Sequence, residues 1–122
     1  MSGEEKAEVK PQSGLVKQAA RYFQEKGYKV EQENTTIEGF SGISRKFDLI
    51  VQKAKLIQGV WVRDWQRTIG VNIIINLDRA SEDVGLTSPI MVGEKFSEHV
   101  KSYANRRKIT LLTRRQLSLS PR

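Results

Sequence analysis

Phe47-Asp48-Leu49-Ile50-Val51 sets one aspartate inside an otherwise unbroken apolar run, flanked by Ser41-Gly42-Ile43-Ser44-Arg45-Lys46 and by Gln52-Lys53-Ala54-Lys55. A run of this kind suits a strand covered on both faces better than one with a wet side. The chain must therefore supply layers above and below that strand. Asp48 needs a partner or a metal, because an unpaired buried carboxylate costs several kcal/mol. Leu56 to Asp64 reads as the antiparallel neighbour, joined through Lys53-Ala54-Lys55, and it ends in Val60-Trp61-Val62-Arg63-Asp64-Trp65.

The surrounding segments alternate helix and strand. Leu15, Ala19, Tyr22 and Phe23 recur at helical spacing from Gly14 to Lys26, and Gly27 follows as a stop. Tyr28 to Glu33 alternates as a strand, and Thr35 to Gly42 reads as a loop or irregular hairpin. From Thr68 to about Asp83, Ile69, Ile73, Ile74, Leu77 and Ala80 favour a helix, although the β-branched Val71, Ile73, Ile74 and Ile75 leave a strand open. Ser88 to Val92 reads as a short buried strand after a Gly85 turn. Phe96 to Arg107 reads as a helix with Ser97 as its cap and Val100, Tyr103 and Ala104 facing inward, and Ile109 to Thr113 as a last strand. This order predicts an α/β fold with a mixed central sheet flanked by helices. The expected organisation is a disordered polar leader over 1–12, one domain over 13–117 and a basic tail over 118–122.

Composition limits the chemistry. The chain has 122 residues, no cysteine and the single histidine His99, which removes thiolate sites and argues against a zinc enzyme. No stretch approaches the roughly 18 apolar residues of a membrane span, and the polar start carries no signal-peptide core, so a cytoplasmic protein is expected. Twenty-one Lys and Arg against fourteen Asp and Glu give a net charge of +7, which favours a polyanionic partner. Arg106, Arg107, Lys108, Arg114, Arg115 and Arg122 make the end of the chain basic, with no acid among its last seventeen residues.

The ordered succession of a helix ending in Gly27-Tyr28, Ser41-Gly42 leading to Phe47-Asp48-Leu49-Ile50, and an apolar strand ending in Asp64-Trp65 is continued by a Gly70-Val71 helix start, Pro89-Ile90 with Val92, Phe96-Ser97 with Val100, and Ile109 with Leu111-Leu112-Thr113. Over roughly residues 14–117 it resembles the PD-(D/E)xK restriction-endonuclease-like superfamily, closest to Mrr-type enzymes and archaeal Holliday-junction resolvases. The resemblance implies a restriction-endonuclease-like core and places Asp48 at the Mg²⁺-binding carboxylate. It also puts Trp61 and Arg63 where the glutamate and lysine of the next strand would stand, and Val16 or Lys17 where a first-helix carboxylate often stands.

An indole offers no oxygen ligand, and a guanidinium stays protonated, so Asp48 alone would be a weak Mg²⁺ anchor and Arg63 could neutralise it. The expectation is a catalytically inactive, nuclease-fold DNA-binding protein with no cofactor, an accessory or regulatory paralogue of a resolvase. Its partners would be duplex or branched DNA, a second copy of itself, and a protein of DNA repair or recombination. Arg45, Lys46, Lys53, Lys55, Arg63, Arg67, Arg106, Arg107, Arg114 and Arg115 would meet phosphates, with Trp65 as a stacking platform. Two alternatives stay open. One is an active Mg²⁺-dependent endonuclease in which a bulge re-aims Asp64, or in which Asn72, Asn76 or Asp78 supplies the missing ligand. The other is a protein-interaction scaffold.

Overall fold

The computed structural model describes residues 14–119. The expected leader over 1–12 and residues 120–122 lie outside them. Helix α1 is Gly14–Glu25, followed by β1 (Lys29–Glu38), β2 (Ser44–Lys53), β3 (Leu56–Val62), α2 (Val71–Asp83), β4 (Ile90–Gly93), α3 (Glu98–Arg107), β5 (Thr110–Thr113) and α4 (Arg114–Ser118). The five strands lie in the order β1-β2-β3-β4-β5. The first three form an antiparallel meander, while β4 and β5 run parallel to β3. Parallel neighbours need crossovers, and α2 and α3 are those crossovers. The mixed, helix-flanked α/β sheet expected from the sequence is the fold observed.

Two apolar clusters sandwich the sheet. On one side Leu15, Ala19 and Phe23 of α1 and Leu117 of α4 pack on Leu49, Val51, Val60, Val62, Ile90 and Val92. On the other, Ile74, Leu77 and Ala80 of α2 and Val100 and Ala104 of α3 pack on Phe47, Ile50 and Met91. Strand β2 is covered on both faces, which is why its apolar run is continuous. Side chains alternate faces along a strand, yet Phe47 and Ile50, three residues apart, share a cluster. The alternation therefore slips at Asp48, where the β2–β3 ladder also stops, at the pair Leu49–Val60. The Phe47 ring lies across β3 at Gly59, where a Cβ would come within 2.6 Å of it.

Three local features depart from the sequence reading. Of the loop or irregular hairpin expected over Thr35 to Gly42, the hairpin is what forms, but β1 runs on to Glu38, paired with Ser44, and only the tight turn around Gly42 (φ +90°) is irregular. Polar exposed residues hid this extension, since a strand on a sheet edge keeps most of its side chains wet. The strand before Trp65 ends at Val62, so Arg63 and Asp64 project beyond the sheet. Residues 114–118 form a helix closed by a capping box, with the Thr113 side chain accepting from the Gln116 amide. The supposed tail thus begins inside the fold, and Ser118 accepts a hydrogen bond from Gln18 at 2.9 Å. Ser97 caps α3 as expected, accepting from the Val100 amide at 3.1 Å.

Candidate functional site

Because β3, β4 and β5 are parallel, their C-terminal ends lie at one end of the sheet, where ligands of open α/β sheets tend to bind. Arg63-Asp64, Glu94-Lys95 and Arg114-Arg115 follow those three ends directly. Asp48 faces this end because β2 parts from β3 there.

Asp48 Oδ2 accepts the Val62 amide at 2.7 Å, replacing the strand carbonyl that the interrupted ladder withdraws. Arg63 lies 3.5 Å from the same oxygen, with the two side chains 25% and 33% exposed. At that distance and exposure the ion pair contributes at most about 1 kcal/mol, whereas the short charge-assisted amide bond contributes about 1.5–3 kcal/mol. The backbone bond is thus the main reason this carboxylate is tolerated. Burial pushes the Arg63 guanidinium below its ordinary range, opposed by the neighbouring Asp48 charge; it remains protonated wherever the protein folds.

Arg63 is also stacked. Its guanidinium carbon is 4.4 Å from the centroid of Trp61 and 5.9 Å from that of Trp65, and Arg67 lies 4.2 Å from Trp65. Each contact contributes about 0.5–1 kcal/mol at a partly exposed site. The Trp61 indole donates to the Lys46 carbonyl at 2.8 Å, which ties β3 to the start of β2. Arg67 covers part of the Trp65 ring that the sequence offered as a stacking platform.

Two further carboxylates that follow the strand ends, Asp64 and Glu94, are claimed by Arg114. Its guanidinium bonds Glu94 through Nε and Asp64 at 2.5 Å through a terminal nitrogen. The Glu94 bond is the main cause that raises the Arg114 pKa, against the effect of burial. One arginine after β5 thus fastens the ends of β3 and β4.

The ligands considered as replacements do not converge on Asp48. Asp64 is held by Arg114 without a bulge in β3, and Asp78 is bonded to Tyr103 and Arg107 at 2.8 Å each. Asn72 and Asn76 are exposed on α2. Among the described residues no three His, Cys, Asp or Glu side chains are grouped to hold a metal ion. One carboxylate already hydrogen-bonded inside the fold, an indole and a guanidinium do not fit Mg²⁺, which takes oxygen ligands in near-octahedral array.

The basic residues do not form one groove. Lys46, Arg63, Arg67, Arg114 and Arg115 belong to the Asp48 end. Lys53 and Lys55 sit at the β2–β3 hairpin, the opposite end of the sheet. Arg106 and Arg107 lie at that far end too, before β5, where Arg107 pairs with Asp78 at 2.8 Å and Glu82 at 3.4 Å. The bond to Asp78 is the main cause raising the Arg107 pKa. Arg45 turns away to Asp83, at 2.9 Å. Clustering in sequence misled here, because β5 separates Arg107 from Arg114 and the hairpin reverses β2. The sequence reading missed Lys95, an exposed cation just past β4, and the Glu94–Arg114–Asp64 clamp. The signal for both was positional: the first residues after each parallel strand.

No helix of the described residues is long and apolar enough to cross a membrane. No protein-family model matches the chain, and no curated protein matches it. The crystal structure of a protein of unknown function, AF1548, has a similar fold, with a TM-score of 0.73 at 19% sequence identity over 81% of this chain. This chain spans 57% of the length of that protein. At this identity the likeness establishes the fold alone: a mixed five-stranded α/β sheet with flanking helices.

Proposed function

We propose that this chain is a catalytically silent nuclease-fold protein that binds duplex or branched DNA through the Asp48 end of its sheet. The observation that carries the reading is the fate of the carboxylates there. Asp48 is spent on the Val62 amide and Arg63, and Asp64 and Glu94 share Arg114, so each of these three acids already has a partner within the fold. Against the one negative charge that those pairs leave, Lys46, Arg67, Lys95 and Arg115 are four exposed cations bordering the same end. This arrangement favours phosphate contacts without hydrolysis. A restriction-endonuclease-like ancestry, pairing as a homodimer and a role beside an active resolvase, with a protein partner in repair or recombination, belong to the same proposal.

The test is fluorescence anisotropy of a labelled four-way junction and a linear duplex at several salt concentrations with Mg²⁺ present, each endpoint run on a denaturing gel. Four phosphate contacts per chain predict a log–log salt slope of about −3.6 and intact strands. Cleaved strands would restore an active nuclease. Weak, structure-blind binding with a shallow slope would favour the protein-scaffold alternative.

A further inference from the structure

At the hairpin end, remote from Asp48, α1 leaves a cavity of about 310 Å³ between itself and the starts of β4 and β5. Tyr22, Phe23 and Tyr28 form an aromatic wall, with Phe23 meeting both tyrosines edge to face at 5.6 and 5.2 Å. Lys26 and Lys53 also line it, and Thr110 adds a hydroxyl from β5. No lining residue is acidic. Among the described residues neither lysine forms an ion pair. Each rests over a ring instead, Lys26 at 5.5 Å from Tyr22 and Lys53 at 5.1 Å from Tyr28.

We propose that this cavity binds an aromatic phosphate of nucleotide size, and this inference stands independently of the DNA-binding reading. Two ammonium groups converging on one concavity without a carboxylate favour an anion, and the tyrosines favour a planar apolar group beside it. A phosphate makes stronger, charge-assisted bonds than a ring face does, so it draws both lysines off the tyrosines and frees those faces for a base. The carboxyl end of α1 would ordinarily oppose an anion nearby. Here its last carbonyls are already taken: the Lys26 amide donates to Tyr22 and Phe23, Gly27 to Gln24, and Tyr28 to Phe23 at 2.9 Å. The left-handed Gly27 (φ +92°) makes that closure, and it also lets Lys53 lie across the turn, with its Cε 3.7 Å from where a glycine Cβ would be.

The chemistry is shared by a free mononucleotide and by the phosphorylated terminal nucleotide of a strand. The experiment is an amide and side-chain NMR titration of the full chain with AMP, adenosine, inorganic phosphate, and a short oligonucleotide with and without a 5′-phosphate. AMP should shift Tyr22, Tyr28, Lys26 and Lys53 with saturation below about 1 mM, and should bind about tenfold tighter than adenosine or phosphate alone. Lys26→Gln/Lys53→Gln, at surface positions that leave the fold intact, should abolish that advantage. Equal binding of the 5′-phosphorylated oligonucleotide would assign the site to strand ends, and its exclusion would assign it to free nucleotides. Adenosine binding as tightly as AMP, shifts confined to the Trp61–Trp65 region, or no response to any probe would overturn the proposal.

Discussion

Replacing Asp48 by alanine separates a carboxylate kept for structure from one kept for chemistry. In the structure the side chain satisfies the Val62 amide at 2.7 Å and accompanies a three-quarters-buried Arg63 at 3.5 Å. Alanine leaves the amide without its acceptor and the guanidinium without its neighbour. Losing a hydrogen bond to a charged group costs about 1.5–3 kcal/mol, and a one-third-exposed site lets water recover part of it, so a net loss of about 1–2 kcal/mol is expected. For a domain of this size that lowers Tm by roughly 4–10 °C. Asp48→Asn keeps an acceptor for the amide and should lose less than half as much. The assay is urea denaturation at neutral pH, with the m-value checked for constancy. A stabilising Asp48→Ala would refute the reasoning: carboxylates held ready for a metal are a strained investment whose removal commonly raises stability.

Other consequences follow from individual contacts. Gly59→Ala puts a Cβ within 2.6 Å of the Phe47 ring, which is 1% exposed and cannot swing aside, so urea denaturation should show a loss of about 1–3 kcal/mol; a change within 0.5 kcal/mol of zero would contradict that packing. The Ser41 hydroxyl, then Arg45 and the Ser41 amide, hold the Asp83 carboxyl down to about 2. Since the folded value lies below the ordinary one, this stabilisation is complete above about pH 4 and fades as pH falls through about 2. The Ser41 amide shift should titrate with that low midpoint, and a midpoint of about 4 would deny the bond. Arg67→Ala and Lys95→Ala should each reduce the magnitude of the DNA salt slope by about one, whereas Lys55→Ala, at the far end, should leave it unchanged.

The layers of the fold were legible because period and length speak directly to burial. Leu15, Ala19 and Phe23 could only be a helix face, and a five-residue run as apolar as 47–51 could only be a covered strand. The strand-rich composition of Val71–Ile75 left two readings, and packing of Ile74 and Leu77 against the sheet settled it as helix. The end of β1 and helix α4 were illegible for the opposite reason: their residues are polar, and pairing with β2 and docking on α1 decide their conformation. At the candidate site the sequence placed Trp61 and Arg63 on one strand face toward Asp48; in the structure Arg63 lies past the end of β3 and reaches Asp48 at 3.5 Å while stacking 4.4 Å from the Trp61 ring centroid. The sequence could not show that Oδ2 of Asp48 takes over a backbone amide where the ladder stops, nor that Arg114, fifty residues from Asp64, reaches back to hold it. The basic groove failed as a unit because neighbours in sequence were treated as neighbours in space across a hairpin and a strand.

The account rests on Asp48 serving the fold and not a metal, and paramagnetic broadening by Mn²⁺ reads that most directly. In an amide NMR spectrum of the full chain without DNA, the Val62 resonance should keep its intensity as Mn²⁺ rises to about one equivalent, and a four-way junction incubated separately with the chain and Mn²⁺ should stay intact. Selective loss of the Val62 and Asp48 signals at low Mn²⁺, accompanied by strand cleavage, would contradict it and return this sheet end to catalysis.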